Sequence, residues 1–282
     1  MTGSNTEQAE YWSSHQGLKW IDREHQLDAA LAPVLDHVFD LASPLHGKTV
    51  LDVGCGTGDS TTRMAHAVGP TGGVTGLDIS APLLDRARAR AERLGNVSFK
   101  LGDAQTEALG AGQFDLMISR FGVMFFSDPV TAFANIAHAL KPGAAIVFAA
   151  WADVKQNPWF LIPHLAACDR MGKPPQVDRN APGPLAFHDR DRVSGILEAA
   201  GLSDIKARGE QIMLTPPGDA AAVAELITHV GPATRVLQHF GGTEKDRLAI
   251  QHDVTGHLAR FASPQGVRVP AFINFFECSK PD

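Results

Sequence analysis

The chain has 282 residues, 44% hydrophobic and 20% charged, with a formal net charge of −6. That is length enough for one large domain, or one domain plus a lid, around a full core. No apolar run reaches the roughly 18 residues that a membrane span needs, and no Lys/Arg block offers the clustered cations that hold nucleic acid. The start, "MTGSNTEQAEYW", lacks the basic n-region and apolar core of a signal peptide. Cys55, Cys168 and Cys278 are far apart and odd in number, which fits reduced thiols. The twelve histidines show no H-x-x-x-H or H-E-x-x-H spacing. A cytoplasmic protein with no metal and no nucleic-acid partner is expected.

Residues 7–42 read as helical and carry Tyr11, Trp12 and Trp20. From residue 48 to 150, strand and helix alternate. "KTVLDVG" is an apolar run ending in glycine, suited to a buried parallel strand, and the helix after it stops at Gly69-Pro70. "GGVTGLDIS" is the second strand. Ser80 caps the next helix, Pro82 lies in its first turn, Leu83, Leu84, Ala87, Ala91 and Leu94 form its stripe, and Gly95 ends it. "NVSFKLGDA" and "FDLMISR" are the third and fourth strands. Asp128-Pro129 opens a helix, and "KPGAAIVFAAW" is the fifth strand.

Beyond Trp151 the pattern weakens. Residues 152–187 are Pro-rich with little periodicity, 188–200 read as a helix, and "LSDIKARGEQIML" as a sixth strand. Residues 218–261 look helical with a break at Gly241-Gly242. "VRVPAFINFFECS" is a last strand, whose Pro270 predicts a bend or an edge position. The expected fold is α/β: a doubly wound, mostly parallel seven-stranded sheet with an antiparallel last strand. A helical N-terminal cap (1–42) precedes a domain at 43–282. Its cofactor-binding core is 45–151, and lid or acceptor-site insertions lie within 152–262.

The stretch "VLDVGCGTGDST" sets Gly54, Gly56 and Gly58 in a G-x-G-x-G pattern. A dinucleotide fingerprint is G-x-G-x-x-G, and its third glycine is here Asp59, a carboxylate that would face a pyrophosphate. No Gly-Lys-Ser/Thr follows, so a P-loop is excluded as well. The loop suits a ligand lying on bare main chain without a phosphate chain. Asp52 suits a cationic ammonium, Asp78 the two hydroxyls of a ribose, and Asp103-Ala104 the edge of an adenine. Ser119-Arg120 ends the fourth strand beside the loop.

These segments resemble the class I S-adenosylmethionine-dependent methyltransferases. "VLDVGCGTGDS" is similar to that family's first motif, "GLDIS" to the second, "GDA" to the third and "FDLMISRFGVMFF" to the fourth. "ALKPGAAIVFAAW" resembles the stretch before the fifth strand, with Ala144 in place of a second glycine. The likeness covers residues 45–151. It implies S-adenosylmethionine as cofactor, S-adenosylhomocysteine as product, and a cofactor site of Asp52, Gly54, Gly56, Gly58, Asp78, Ile79, Asp103, Ala104, Ser119 and Arg120. It also implies in-line methyl transfer, for which positioning supplies much of the rate.

The fourth strand ends "SRFG" and not N-P-P-Y, which turns the expectation from nucleic-acid amino groups to a small-molecule acceptor. Acceptor candidates are Tyr11, Trp12, Trp20, Phe121, Met124 and Trp151, with Trp159, Phe187 and His188 in the variable region. Each N-terminal aromatic reads equally as a packing anchor. Arg120 reads equally as an ion-pair partner of Asp128 or another acid, and His188 reads better as a helix-start residue than as a base. Catalytic residues and oligomeric state are left open. The alternatives are another transferase using the same cofactor, a non-catalytic cofactor-binding partner and, weakest, a nicotinamide dehydrogenase.

Overall fold

The apolar run before the glycine loop forms β1 (Thr49–Val53), with Val50, Leu51 and Asp52 fully buried in succession, as expected of a central strand covered on both faces. The computed structural model describes residues 5–282, apart from the side chains of His15 and Gln16. Parallel strands β2 (Gly73–Asp78), β3 (Val97–Leu101), β4 (Phe114–Arg120) and β5 (Leu140–Trp151) follow, then β6 (Ser203–Leu214). Short strands β7 (Ala262–Ser263) and β8 (Gly266–Val267) pair as a separate hairpin, and β9 (Val269–Ser279) returns to the sheet. The order is β3-β2-β1-β4-β5-β9-β6, seven strands with β9 antiparallel to both neighbours.

The strand order reverses between β1 and β4. Right-handed crossovers moving outward in opposite directions place their helices on opposite faces. Helices α1 (Thr6–Ser13), α2 (His15–Asp22) and α3 (Glu24–Ala42) precede β1, and α4 (Asp59–Val68) and α5 (Ala81–Arg90) connect β1, β2 and β3. Helix α6 (Pro129–Ala139) connects β4 to β5, and α8 (Arg190–Ala199) packs beside it. α3 lies next to α4 and spans β4, β5, β6 and β9, whereas α1 and α2 pack on α5. Ser80 and Asp128 cap α5 and α6 through the main-chain N–H groups of Leu83 and Thr131.

Three details differ from the sequence expectations. The α5 helix ends at Arg90, well before Gly95. Residues 152–187 contain a full helix, α7 (Pro158–Met171), with Pro158 in its first turn and Pro163 inside. Its sequence "PWFLIPHLAACDRM" is apolar on more than one face because β9, α9 (Ala220–His229), α10 (Pro232–His239) and α11 (Glu244–Leu258) surround it, so it shows no amphipathic period. Gly231-Pro232 breaks 218–261 in addition to Gly241-Gly242. Pro270 lies in the interior strand β9, but only β6 is beside it, since pairing with β5 begins at Ile273. The edge is local, and no ladder bond is lost on the β5 side.

At the reversal point the loops after β1 and β4 touch. A Cβ on Gly54 would fall 2.5 Å from Gly122 Cα, and one on Gly122 would fall 2.5 Å from the Val53 carbonyl oxygen. The Ser119 hydroxyl fastens this crossing by donating to Val53 O at 2.7 Å and accepting from Gly122 N at 3.1 Å. Gly122→Ala should therefore destabilise the fold by about 3 kcal/mol, the upper end for overpacking a close-packed site, visible as a clear drop in melting temperature. Gly195→Ala, exposed in α8 with nothing near its Cβ, should instead stabilise by about 0.5–1 kcal/mol through helix propensity. Differential scanning calorimetry on both variants checks the contrast.

Candidate active site

The loop crest is built from main chain. Gly54 N and Cys55 N both donate to Leu77 O, and Gly58 N closes a turn on Cys55 O. Gly54, Gly56 and Gly58 all have positive φ, at 69°, 56° and 85°, a region L-residues enter at a cost of about 1–2 kcal/mol. They differ in what lies beside them. Gly54 abuts Gly122, and Gly58 abuts Ala87 of α5, 2.8 Å from where its Cβ would be, whereas a Cβ on Gly56 meets nothing within 4 Å. Two of the glycines thus allow close packing of the protein on itself. Gly56 alone presents bare backbone to open space.

Carboxylates bracket that open position. Asp78 Oδ2 accepts from Gly56 N at 2.8 Å and Oδ1 from Ser80 N at 2.9 Å, so the end of β2 is tied to the crest. Burial pushes the Asp78 carboxyl up, opposed by these main-chain N–H groups. Asp52 is fully buried, and its Oδ2 accepts from the hydroxyls of Ser60 and Thr61, each at 2.6 Å. Its Oδ1 is equally buried and has no hydrogen-bond partner. Burial raises the Asp52 carboxyl to about 6, against the pull of the two hydroxyls. The Asp52 carboxylate thus keeps one buried, unpartnered oxygen near the glycine crest, an arrangement that disfavours its charge unless a cationic group is supplied.

Asp103, at the end of β3, accepts from Gln105 N and Asn5 Nδ2 on Oδ1, each at 3.0 Å. Ala104 beside it is buried, and Ile79 is half-buried after β2. Ser119 is committed to the main chain. Arg120 points into an ion cluster: its Nη1 donates to Asp59 Oδ2 at 3.0 Å and its Nη2 lies 3.6 Å from Asp28 Oδ1. Arg90 joins them, 2.8 Å from Asp28 Oδ2, and Arg86 forks onto Glu24 with 2.9 Å contacts from Nε to both oxygens. Three acids and three arginines tie α3, α4, α5 and β4 together behind the crest. Burial raises the Asp28 carboxyl, with the neighbouring charge of Asp59 adding to it, while Arg86 holds Glu24 low. Asp128 is not the partner of Arg120; it caps α6.

The aromatic candidates separate into two groups. Phe121 follows β4 with φ of 67°, strained for a residue with a side chain, and stacks on Trp151 at 4.5 Å with planes 6° apart. Phe160 of α7 meets Trp151 edge-on. The second group roofs the crevice: Trp12 makes edge contacts with Tyr11, Trp20 and Phe125, and its carbonyl accepts from Ser80 Oγ at 2.9 Å. Tyr11 is 44% exposed, and Met124 is buried in the core. Trp159 and Phe187 are buried as well, and His188 precedes Asp189, the cap of α8. Two surface clefts, one at Thr49, Gly73 and Asn96 and one at His66, Gly69 and Leu94, open at the opposite ends of the strands. Among the described residues no His/Cys/Asp/Glu group could hold a metal, and no helix is long and apolar enough to cross a membrane.

Residues 50–143 match the family profile of a methyltransferase domain. The chain is 32% identical over 242 residues to nocamycin O-methyltransferase of Saccharothrix syringae, covering 80% of this chain and 85% of that one. It is 36% identical over 118 residues to aklanonic acid methyltransferase DauC of a Streptomyces species, where the match spans 41% of this chain and about half (54%) of that relative. Phosphoethanolamine N-methyltransferase 2 of Haemonchus contortus, solved with S-adenosyl-L-methionine, superposes with a TM-score of 0.54 at 17% identity, over 88% of this chain and 52% of that one. The chain belongs to the class I S-adenosylmethionine-dependent methyltransferases.

Three residues of the site, Ser60, Thr61 and Gly122, had a readable but unassigned signal in "GDST" and "SRFG". Asn5, Asp28 and Arg90 had none.

Two outcomes follow. An acid raised from 3.8 to about 6 by the fold imposes a penalty absent at low pH, growing between those values and complete above them. Asp52→Asn should therefore raise the stability of the ligand-free protein near neutral pH by up to about 3 kcal/mol, with the gain vanishing towards pH of about 4. Cofactor affinity, measured by calorimetry, should fall in that variant at neutral pH. Arg120→Met should destabilise by about 3–5 kcal/mol, because it leaves Asp28 and Asp59 close together with Arg90 alone; urea unfolding reads this directly.

Proposed function

We propose that this protein methylates an oxygen of a small, largely apolar and planar acceptor. The cofactor part of the reading is carried by the open crest at Gly56, flanked by the half-satisfied Asp52 and by Asp78, and the acceptor part by the Phe121–Trp151 stack beside it. The bare backbone and buried acids fit the amino-acid and ribose portions of S-adenosylmethionine. Asp52 would face the ammonium, Asp78 the ribose hydroxyls with Ile79 beside it, and Asp103 with Ala104 the adenine. Ser119 and Arg120 would act by holding the two loops in place. When bound, the cofactor supplies a methyl group already activated by its sulfonium.

The chain's own contribution is then placement and exclusion of water. Phe121, stacked on Trp151 and reaching out from the end of β4 next to Gly122, offers an aromatic face to an acceptor. Oxygen as the acceptor atom is supported by the likeness to nocamycin O-methyltransferase. An acidic enol or phenol ionises readily, so a strong general base is not demanded. A cytoplasmic location belongs to the same proposal, supported by three cysteines that are free and buried.

The test is calorimetric titration with S-adenosylmethionine and S-adenosylhomocysteine, on the parent and on Asp78→Ala, followed by mass spectrometry of hydroxylated naphthoquinone and anthraquinone probes. Both ligands should bind the parent, and the variant should lose about 50-fold or more in affinity, as expected for losing two hydrogen bonds to a charged group. Methylated product on oxygen supports the assignment. No binding to the parent, or a mass gain other than one methyl, overturns it.

A further inference from the structure

The oxygen atoms of Asp103 are unequally occupied, and the residue responsible lies 98 positions away. Asn5 Nδ2 donates to Asp103 Oδ1 at 3.0 Å, while Asn5 N reaches Oδ2 only at 3.4 Å. Gln105 N also donates to Oδ1, so that oxygen carries two good bonds and Oδ2 one long one. Asn5 is itself held: its Oδ1 accepts from Ser127 N at 2.8 Å, and the residue is 6% exposed, uncommon for an asparagine. Ser127 and Asp128 are in turn set by Gln105, whose Oε1 accepts from Ser127 Oγ and Asp128 N. The segments after β3 and after β4 are thereby bridged by one side chain from the N-terminal segment.

We infer that Asn5 is a positioning residue for cofactor recognition: it pins Asp103 through Oδ1 and leaves Oδ2 to accept from the 6-amino group of adenine. This rests on the assignment of Asp103 to the adenine. With the Gln105 N–H alone on Oδ1 the carboxylate can still turn about that one bond; a second donor on the same oxygen, from Asn5, fixes the direction in which Oδ2 points. The same contact docks α1 over the crevice, where Trp12 reaches Ser80 and Phe125. Selectivity for the 6-amino group thus depends on a residue outside those that carry the family motifs.

The test compares S-adenosylhomocysteine with its purine analogue bearing hydrogen in place of the 6-amino group, by calorimetry on the full chain. The parent should prefer the adenine ligand. Asn5→Ala should weaken S-adenosylhomocysteine by about fivefold, the worth of one positioning hydrogen bond, and leave the purine analogue unchanged, so that discrimination shrinks. Asp103→Ala should abolish the discrimination, and Asn5→Ala should add nothing in that background. Melting curves establish that each variant is folded. Equal weakening of both ligands, or of neither, by Asn5→Ala overturns the inference while leaving the Asp103 assignment standing. A parent that does not discriminate overturns both.

Discussion

The structure depends on the contact between two glycines at the point where the sheet reverses direction. Gly54 and Gly122 bring the loops after β1 and β4 within van der Waals distance, which no residue with a Cβ would allow. That approach lets the Ser119 hydroxyl bridge Val53 and Gly122. It also places Phe121, immediately before Gly122, beside the loop crest. Open α/β sheets bind ligands at such a reversal because flanking loops diverge there and leave a crevice. Here two main-chain loops cross at that point, and carboxylates end the three strands beside the crossing.

The electrostatics of the site follow from that geometry. Asp52 and Asp78 are buried because they end central strands, and burial raises both. Their charge is tolerated because hydroxyls and main-chain N–H groups are aimed at them, but Asp52 is left one oxygen short. Behind the crest, three acids and three arginines compensate one another and join α3, α4, α5 and β4. Such a cluster is worth little as net stability. Its effect is to fix the position of α3 and the start of α4 relative to the crest.

How much was legible in the sequence varied along the chain for a physical reason. Strands β1 to β5 and their connections lie in the part where each element has one simple environment, so apolar runs, caps and glycines read directly. Helix α7 was hidden because it is surrounded by other helices and by β9, which erases the polar–apolar period. The loop glycines were legible as a group but not individually: equal in sequence and in the sign of φ, they differ only in what the fold puts against them. Arg120 was readable as an ion-pair former, while its partners Asp28 and Asp59 sit on two other helices and could not be paired with it by spacing.

The sequence by itself determined the fold class, the order of the acid-bearing strand ends and the kind of cofactor, because these depend on local pattern and on motifs a few residues long. Only the tertiary structure decided which glycine has open space beside it, which acid is left unsatisfied and which aromatic residues pack together at the strand ends. It alone brought Asn5 to Asp103 and stacked Phe121 on Trp151. Those outcomes rest on contacts between segments far apart along the chain, whose distances are set when all layers pack together and are not encoded in any one stretch.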